Sequence, residues 1–159
     1  MKPETTTLEA DGLQWFAALR REAIDSVAAR FYREHAAIYA QFGDRGREAC
    51  REDLGYHLEF LRPVLEFGLA GPMVEYLRWL AGVLQARAIP SEHLPKSLDW
   101  LAEFFDARGG SPAAAAVVAA LHDVKAKFIS ERDFAPAIDS KMPAAWPDCA
   151  EFENALPVG

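Results

Sequence analysis

Apolar residues return at steps of three and four along nearly all of the chain up to residue 130, and no useful stretch alternates as a strand would. Leu13, Phe16, Leu19, Ile24, Val27, Phe31, Ile38 and Phe42 mark one long helix or two, with a joint near Asp25 and Ser26. The "GDRG" at 43–46 stops that run, its glycines suiting a helix end and Asp44 the start of the next helix. Cys50, Leu54, His57, Leu58, Leu61, Val64 and Leu65 form the next stripe, which Pro63 interrupts and should bend. "GLAGP" at 68–72 closes it, and Pro72 opens a helix through Met73, Tyr76, Leu77, Leu80, Val83 and Leu84. Beyond Pro90 a further helix carries Leu94, Leu98, Leu101 and Phe105, beginning at Pro90–Ser91 or with Pro95 in its first turn. In "RGGSP" at 108–112 glycines end a helix, Ser111 caps the next and Pro112 takes its first position. Val117, Leu121, Val124 and Phe128 complete the series.

The pattern predicts an all-α antiparallel bundle of five or six helices over residues 1–129. Residues 130–159 break the period with four prolines and the aromatics Phe134, Trp146 and Phe152. Such anchors are rare in a disordered acidic tail, so this segment is expected to be an irregular strap on the bundle or on a partner.

At 159 residues the chain suits one domain with its own core. Its formal charge of -7 repels phosphate backbones and anionic lipid, and "RGREACRED" at 45–53, the most basic stretch, is diluted by Glu48, Glu52 and Asp53. Neither nucleic acid nor membrane is expected as a partner. No apolar run reaches the length of a membrane span, and the first residues carry no apolar signal core, so a cytoplasmic location is expected. Cys50 and Cys149, far apart and without a CxxC companion, read as free thiols.

Candidate chemistry centres on four histidines, each beside or one turn from a carboxylate: His35 with Glu34, His57 with Asp53, His93 with Glu92, and His122 with Asp123. His35 and His57 lie in apolar seams at similar distances from the turn at 43–46, so a hairpin would bring them to one height. Asp53, four residues before His57, reaches the same helix side and is placed to orient the imidazole. His35, Asp53 and His57 are thus the candidate metal or small-molecule ligands, although seam histidines more often serve as hydrogen-bonded core residues. A ferritin-like di-iron centre is disfavoured because no histidine has a glutamate three residues before it. His122 reads as a surface residue, and Glu92 as the acidic start of a helix. Tyr76 and Trp79 can share a face, with Arg78 and Arg87 near, as a ligand surface or a helix interface. Phosphate-binding loops, a metalloprotease helix and a nucleophile elbow are all absent, and the serines, Ser97 among them, read as capping, helix-surface or tail residues.

"GREACREDLGYHLEFLRPVLEFG" followed by "MVEYLRWLAGVLQARAIPSEHLPKSLDWLAEFF" resembles the helical domain that precedes the cobalamin-binding domain in some bacterial B12-dependent regulators. The resemblance covers about residues 46–105 and implies a cap-like sensory module. It also implies that Trp79 stands for the tryptophan that caps the cofactor, and Glu92 with His93 for the pair beside it. Twelve residues separate Trp79 from Glu92 where the family pattern has nine, and the Asp-x-His-x-x-Gly motif that holds the lower face of cobalamin is absent. The expectation is therefore a noncatalytic sensory, regulatory or protein-interaction module, with a protein partner or a second copy docking on its aromatic helices. A bundle binding a small molecule or metal in its core is the alternative. No cofactor is expected for the isolated chain, with cobalamin or a metal ion as the exceptions.

Overall fold

The computed structural model describes residues 7–132, so the expected strap over 130–159 lies almost wholly outside the described residues. Helices account for nearly all of the described chain: α1 (Ala10–Ala18), α2 (Arg20–Glu34), the single turn α3 (Ala36–Tyr39) continued by a 3-10 turn (Ala40–Phe42), α4 (Gly43–Phe67), α5 (Gly71–Ala86), α6 (His93–Ala107) and α7 (Pro112–Arg132). Among the described residues there is no strand. The all-helical bundle is as the periodicity predicts, and no helix among the described residues is long and apolar enough to cross a membrane.

The first apolar run breaks elsewhere than at Asp25–Ser26. Its first joint is Leu19, whose N–H bonds Phe16 O at 3.2 Å in a tightened turn before α2 resumes. Its second is His35, with φ -127° and ψ 37°, outside helical space. There the His35 N–H still closes α2 on Phe31 O at 2.8 Å while its carbonyl starts α3 through the Tyr39 N–H at 3.2 Å. Gly43, at φ 62° and ψ -155°, turns the chain into α4 through a conformation that side chains rarely adopt.

Pro63 sits inside α4, where its ring removes one donor, yet its carbonyl is used at the helix end by the Leu69 N–H at 3.3 Å. Left-handed Gly68 makes that stop possible. Helix α5 ends in a Schellman arrangement, the Ile89 N–H bonding Leu84 O at 3.0 Å and the Ala88 N–H bonding Gln85 O at 3.0 Å. Ala88 occupies the left-handed position at φ 60° that glycine usually takes, which costs backbone strain. Pro72 opens α5, and Ser111 caps α7 by accepting the Ala114 N–H at 3.3 Å. Helix α6 begins at His93, with Pro95 in its first turn.

Helix α7 is the hub, packing on α1, α4, α5 and α6, and α2 packs on α4 and α6. Its alanines permit that close approach on several sides, with Val117, Leu121, Val124 and Phe128 fully buried. Phe105 of α6 is also fully buried, stacked on Phe16 with centroids 5.4 Å apart. Lys125 of α7 bridges both carboxylate oxygens of Asp99 on α6, at 2.8 and 2.9 Å. This frame leaves a cavity at the other end of the core, between the α2–α4 corner and the start of α6.

Candidate functional site

The walls of that cavity are built mainly from apolar side chains: Phe31 of α2, Tyr39 and Phe42 of the corner, Leu54 of α4, Leu80 and Leu84 of α5, and Leu94 of α6. It measures about 70 Å³, room for a few waters or a compact organic group. Cys50, Asp53, His57, Arg87, His93 and Ser97 bring polar atoms to the same space. An apolar pocket with a few convergent polar groups is the usual form of a small-molecule site.

His57 is 2% exposed and held at both ring nitrogens. Its Nδ1 lies 2.7 Å from the Tyr76 phenol and its Nε2 3.0 Å from Ser97 Oγ. Each hydroxyl has a second acceptor, Asp53 O at 3.1 Å for Tyr76 and Leu94 O at 2.6 Å for Ser97. A hydroxyl has one proton to give, and a neutral imidazole has one N–H. The ring therefore donates to one hydroxyl and accepts from the other, and the two tautomers are alternative ways of ordering the same chain of bonds. Burial pushes the His57 pKa down to about 4, which keeps the ring neutral near pH 7.

Asp53 behaves differently. As a residue it is half-buried, but its Oδ1 is shut away from solvent and has no hydrogen-bond partner. Burial pushes its pKa up to about 7, opposed by the nearby positive charge of Arg87. Burial also pushes the Cys50 thiol up to about 12, with the Asp53 charge adding to the shift, so Cys50 is a neutral thiol and not a nucleophile.

His93 closes another side of the cavity, its Nδ1 2.8 Å from the Tyr39 hydroxyl. Its ring lies 4.3 Å from that of His35, and Lys96 Nζ stands 3.5 Å from His35 Nε2. Burial, then the His35 and Lys96 charges, lower the His93 pKa. Burial raises the Tyr39 pKa, and the phenol stays protonated.

Asp53, His57 and His93 all line the cavity. Tyr76 stands directly behind His57, on its Nδ1. His35 does not line the cavity, and its partner across the interface is His93 where His57 was expected. The break at His35 rotates the chain, so the seam assumed to continue from Phe31 to Phe42 is not one straight helix face. Asp53 does not orient the His57 ring through its carboxylate; Tyr76 and Ser97 do so. Among the described residues, no group of three histidine, cysteine or acidic side chains is placed to hold a metal ion, so His35, Asp53 and His57 are not assembled as a ligand set. Trp79 is buried in α5 at 4% exposure, and Glu92 is an exposed N-cap residue of α6 that makes no side-chain cap bond. His122 is exposed, as expected.

Ser97 is the residue that sequence reading misplaced: it is 5% exposed and joins α6 to His57. One signal was present, since Ser97 follows His93 by four residues and Leu94 by three, on the buried side of α6. Tyr39, four residues after His35, carried no comparable signal. No protein-family model, curated protein or solved structure matches the chain.

Proposed function

We propose that this chain is a noncatalytic helical module that binds a small molecule in the cavity between the α2–α4 corner and α6, as a sensory or regulatory domain would. One observation carries the reading: a largely apolar, partly open cavity contains a carboxylate oxygen that no protein group satisfies. A buried acceptor without a partner costs on the order of 1–3 kcal/mol, more when charged, and a ligand or water that supplies the missing donor recovers that cost.

The Ser97–His57 contact has the spacing of a nucleophile and its base, but its setting favours binding over catalysis. The Ser97 hydroxyl has a closer acceptor in Leu94 O, burial makes His57 a weak base, and a phenol stands where an orienting carboxylate would be. The resemblance to a cobalamin cap supports a sensory role more than that cofactor. Trp79 is packed inside, and a corrin is far larger than a cavity of about 70 Å³.

The test is a thermal-shift screen of small molecules against the wild type and Ala49→Leu, which places extra carbons in the cavity wall. Compounds that raise the wild-type melting temperature and leave the variant unmoved are expected. A broad panel in which every stabiliser acts equally on both proteins removes this cavity as the site.

A further inference from the structure

We propose that the cavity receives a compact primary amine in its ammonium form, with the charged nitrogen at Asp53 and the carbon skeleton against Phe31, Tyr39 and Phe42. The inference rests on the ligand-binding reading above and names the class of molecule.

Most polar groups that face the space are already engaged, Arg87 among them. Both nitrogens of His57 are taken by Tyr76 and Ser97. Ser97 Oγ has Leu94 O besides, and the Tyr39 hydroxyl is paired with His93 Nδ1. What remains unmet is an acceptor, the buried Asp53 Oδ1. The incoming group must therefore donate. Cys50 is a neutral thiol and the two histidines lining the cavity have lowered pKa values, so Asp53 is the anionic group of this lining.

A carboxylate in a mostly apolar wall favours a charged donor over a neutral one, because a charge-assisted bond is about twice as strong. Phe31, Tyr39 and Phe42 are in the lining, and aromatic rings near a cation attract it further. The chain's formal charge of -7 raises the local concentration of cations. Arg87 also lines the cavity and its charge opposes, but burial outweighs it at Asp53 and it makes no hydrogen bond to Asp53 Oδ1, which stays open to a donor. A volume near 70 Å³ accommodates a skeleton of a few carbons.

The experiment is an NMR amide-shift titration of the full chain with n-propylamine, n-propanol and propionate, which share a skeleton and differ in charge. At about pH 8 the amine is protonated and Asp53 is mostly ionised. Saturable shifts are expected around Asp53, His57 and Ser97, with propylamine binding about tenfold tighter than propanol. Asp53→Asn is expected to remove that preference while leaving propanol unchanged, and Ala49→Leu to abolish both. Equal affinities for amine and alcohol, tighter binding of propionate, or an undiminished amine preference in Asp53→Asn overturns the amine assignment and leaves the ligand cavity standing. Shifts confined to surface carboxylates, or no saturation by any of the three, overturn both. Asp53→Asn removes a buried charge without changing shape, and its circular dichroism and melting curve verify that it folds.

Discussion

Asp53 and His57 lie one helical turn apart and their pKa values move in opposite directions on burial, which gives stability two opposing dependences on pH. The Asp53 pKa rises from 3.8 to about 7, so the folded state holds a proton that the unfolded state releases. Stability is then present at low pH and lost as the pH climbs from about 4 through 7, by at most ~4 kcal/mol. The His57 pKa falls from 6.5 to about 4, so its contribution runs the other way: stability is present above pH 6.5 and lost as the pH falls toward 4. Asp53→Asn separates them. Urea unfolding of the variant and the wild type is expected to coincide near pH 4 and to diverge in favour of the variant by about pH 8, leaving the acid-side loss from His57 and His93. Equal stability of the two proteins at about pH 8 would show that Asp53 does not carry the buried charge. Asp53 and His57 were both legible as candidates because a carboxylate four residues before a seam histidine faces the same way. That the carboxylate would stay unpartnered was not, since its partner could have come from any of three other elements.

At the scale of elements, the caps were mostly legible and the joints were not. Ser111, Pro112, Gly68 and Pro72 do what their chemistry dictates, because a helix end is a local problem solved by nearby backbone groups. The breaks at Leu19 and His35 have no Pro or Gly to announce them, and the packing of α2 between α4 and α6 decides where the axis turns. The start of α4 offers a contrast that depends on this geometry. A Cβ on Gly46 would stand 2.3 Å from Phe42 Cβ and 3.2 Å from the Tyr32 hydroxyl, and the Phe42 atom cannot retreat without moving the corner. A Cβ on Gly55 would meet Arg20 Nη2 at 2.8 Å, the far end of a flexible side chain that can swing away. Gly46→Ala is expected to destabilise by about 1–3 kcal/mol through overpacking. Gly55→Ala is expected to be neutral or to stabilise by up to about 1 kcal/mol through helix propensity. Chemical denaturation of both variants checks the pair, and the same sign for both would contradict the packing at the corner.

For the whole molecule, the question raised by the aromatic helix α5 was whether its rings face outward to a partner or inward to the core. Tyr76 is fully buried and Trp79 is 4% exposed, so both serve the core. Among the described residues, the large apolar ones left exposed are Phe67, Leu69 and Ile129, at the α4–α5 turn and near the end of α7. Trp79→Ala is expected to cost about 3–5 kcal/mol, the usual penalty for removing a buried indole, and to leave the sedimentation mass unchanged. A fall in mass without loss of stability would return Trp79 to an interface role.

The sequence by itself determined the helical class, most of the caps and turns, the exposed standing of His122, and the apolar side of each helix. These follow from periods of three and four and from the backbone chemistry of glycine, proline and serine, which act within a few residues. Tertiary structure alone decided that His57 would meet Tyr76 and Ser97, that His93 would replace it opposite His35, and that Asp53 would keep an unmet oxygen. Those pairings span 19 to 58 residues, from Tyr76 on His57 to His93 against His35. They depend on where α2 breaks and on how closely the alanines of α7 let its neighbours approach. A side chain's helix face is set by its own sequence position, whereas the group it finds there is set by the packing of several helices at once.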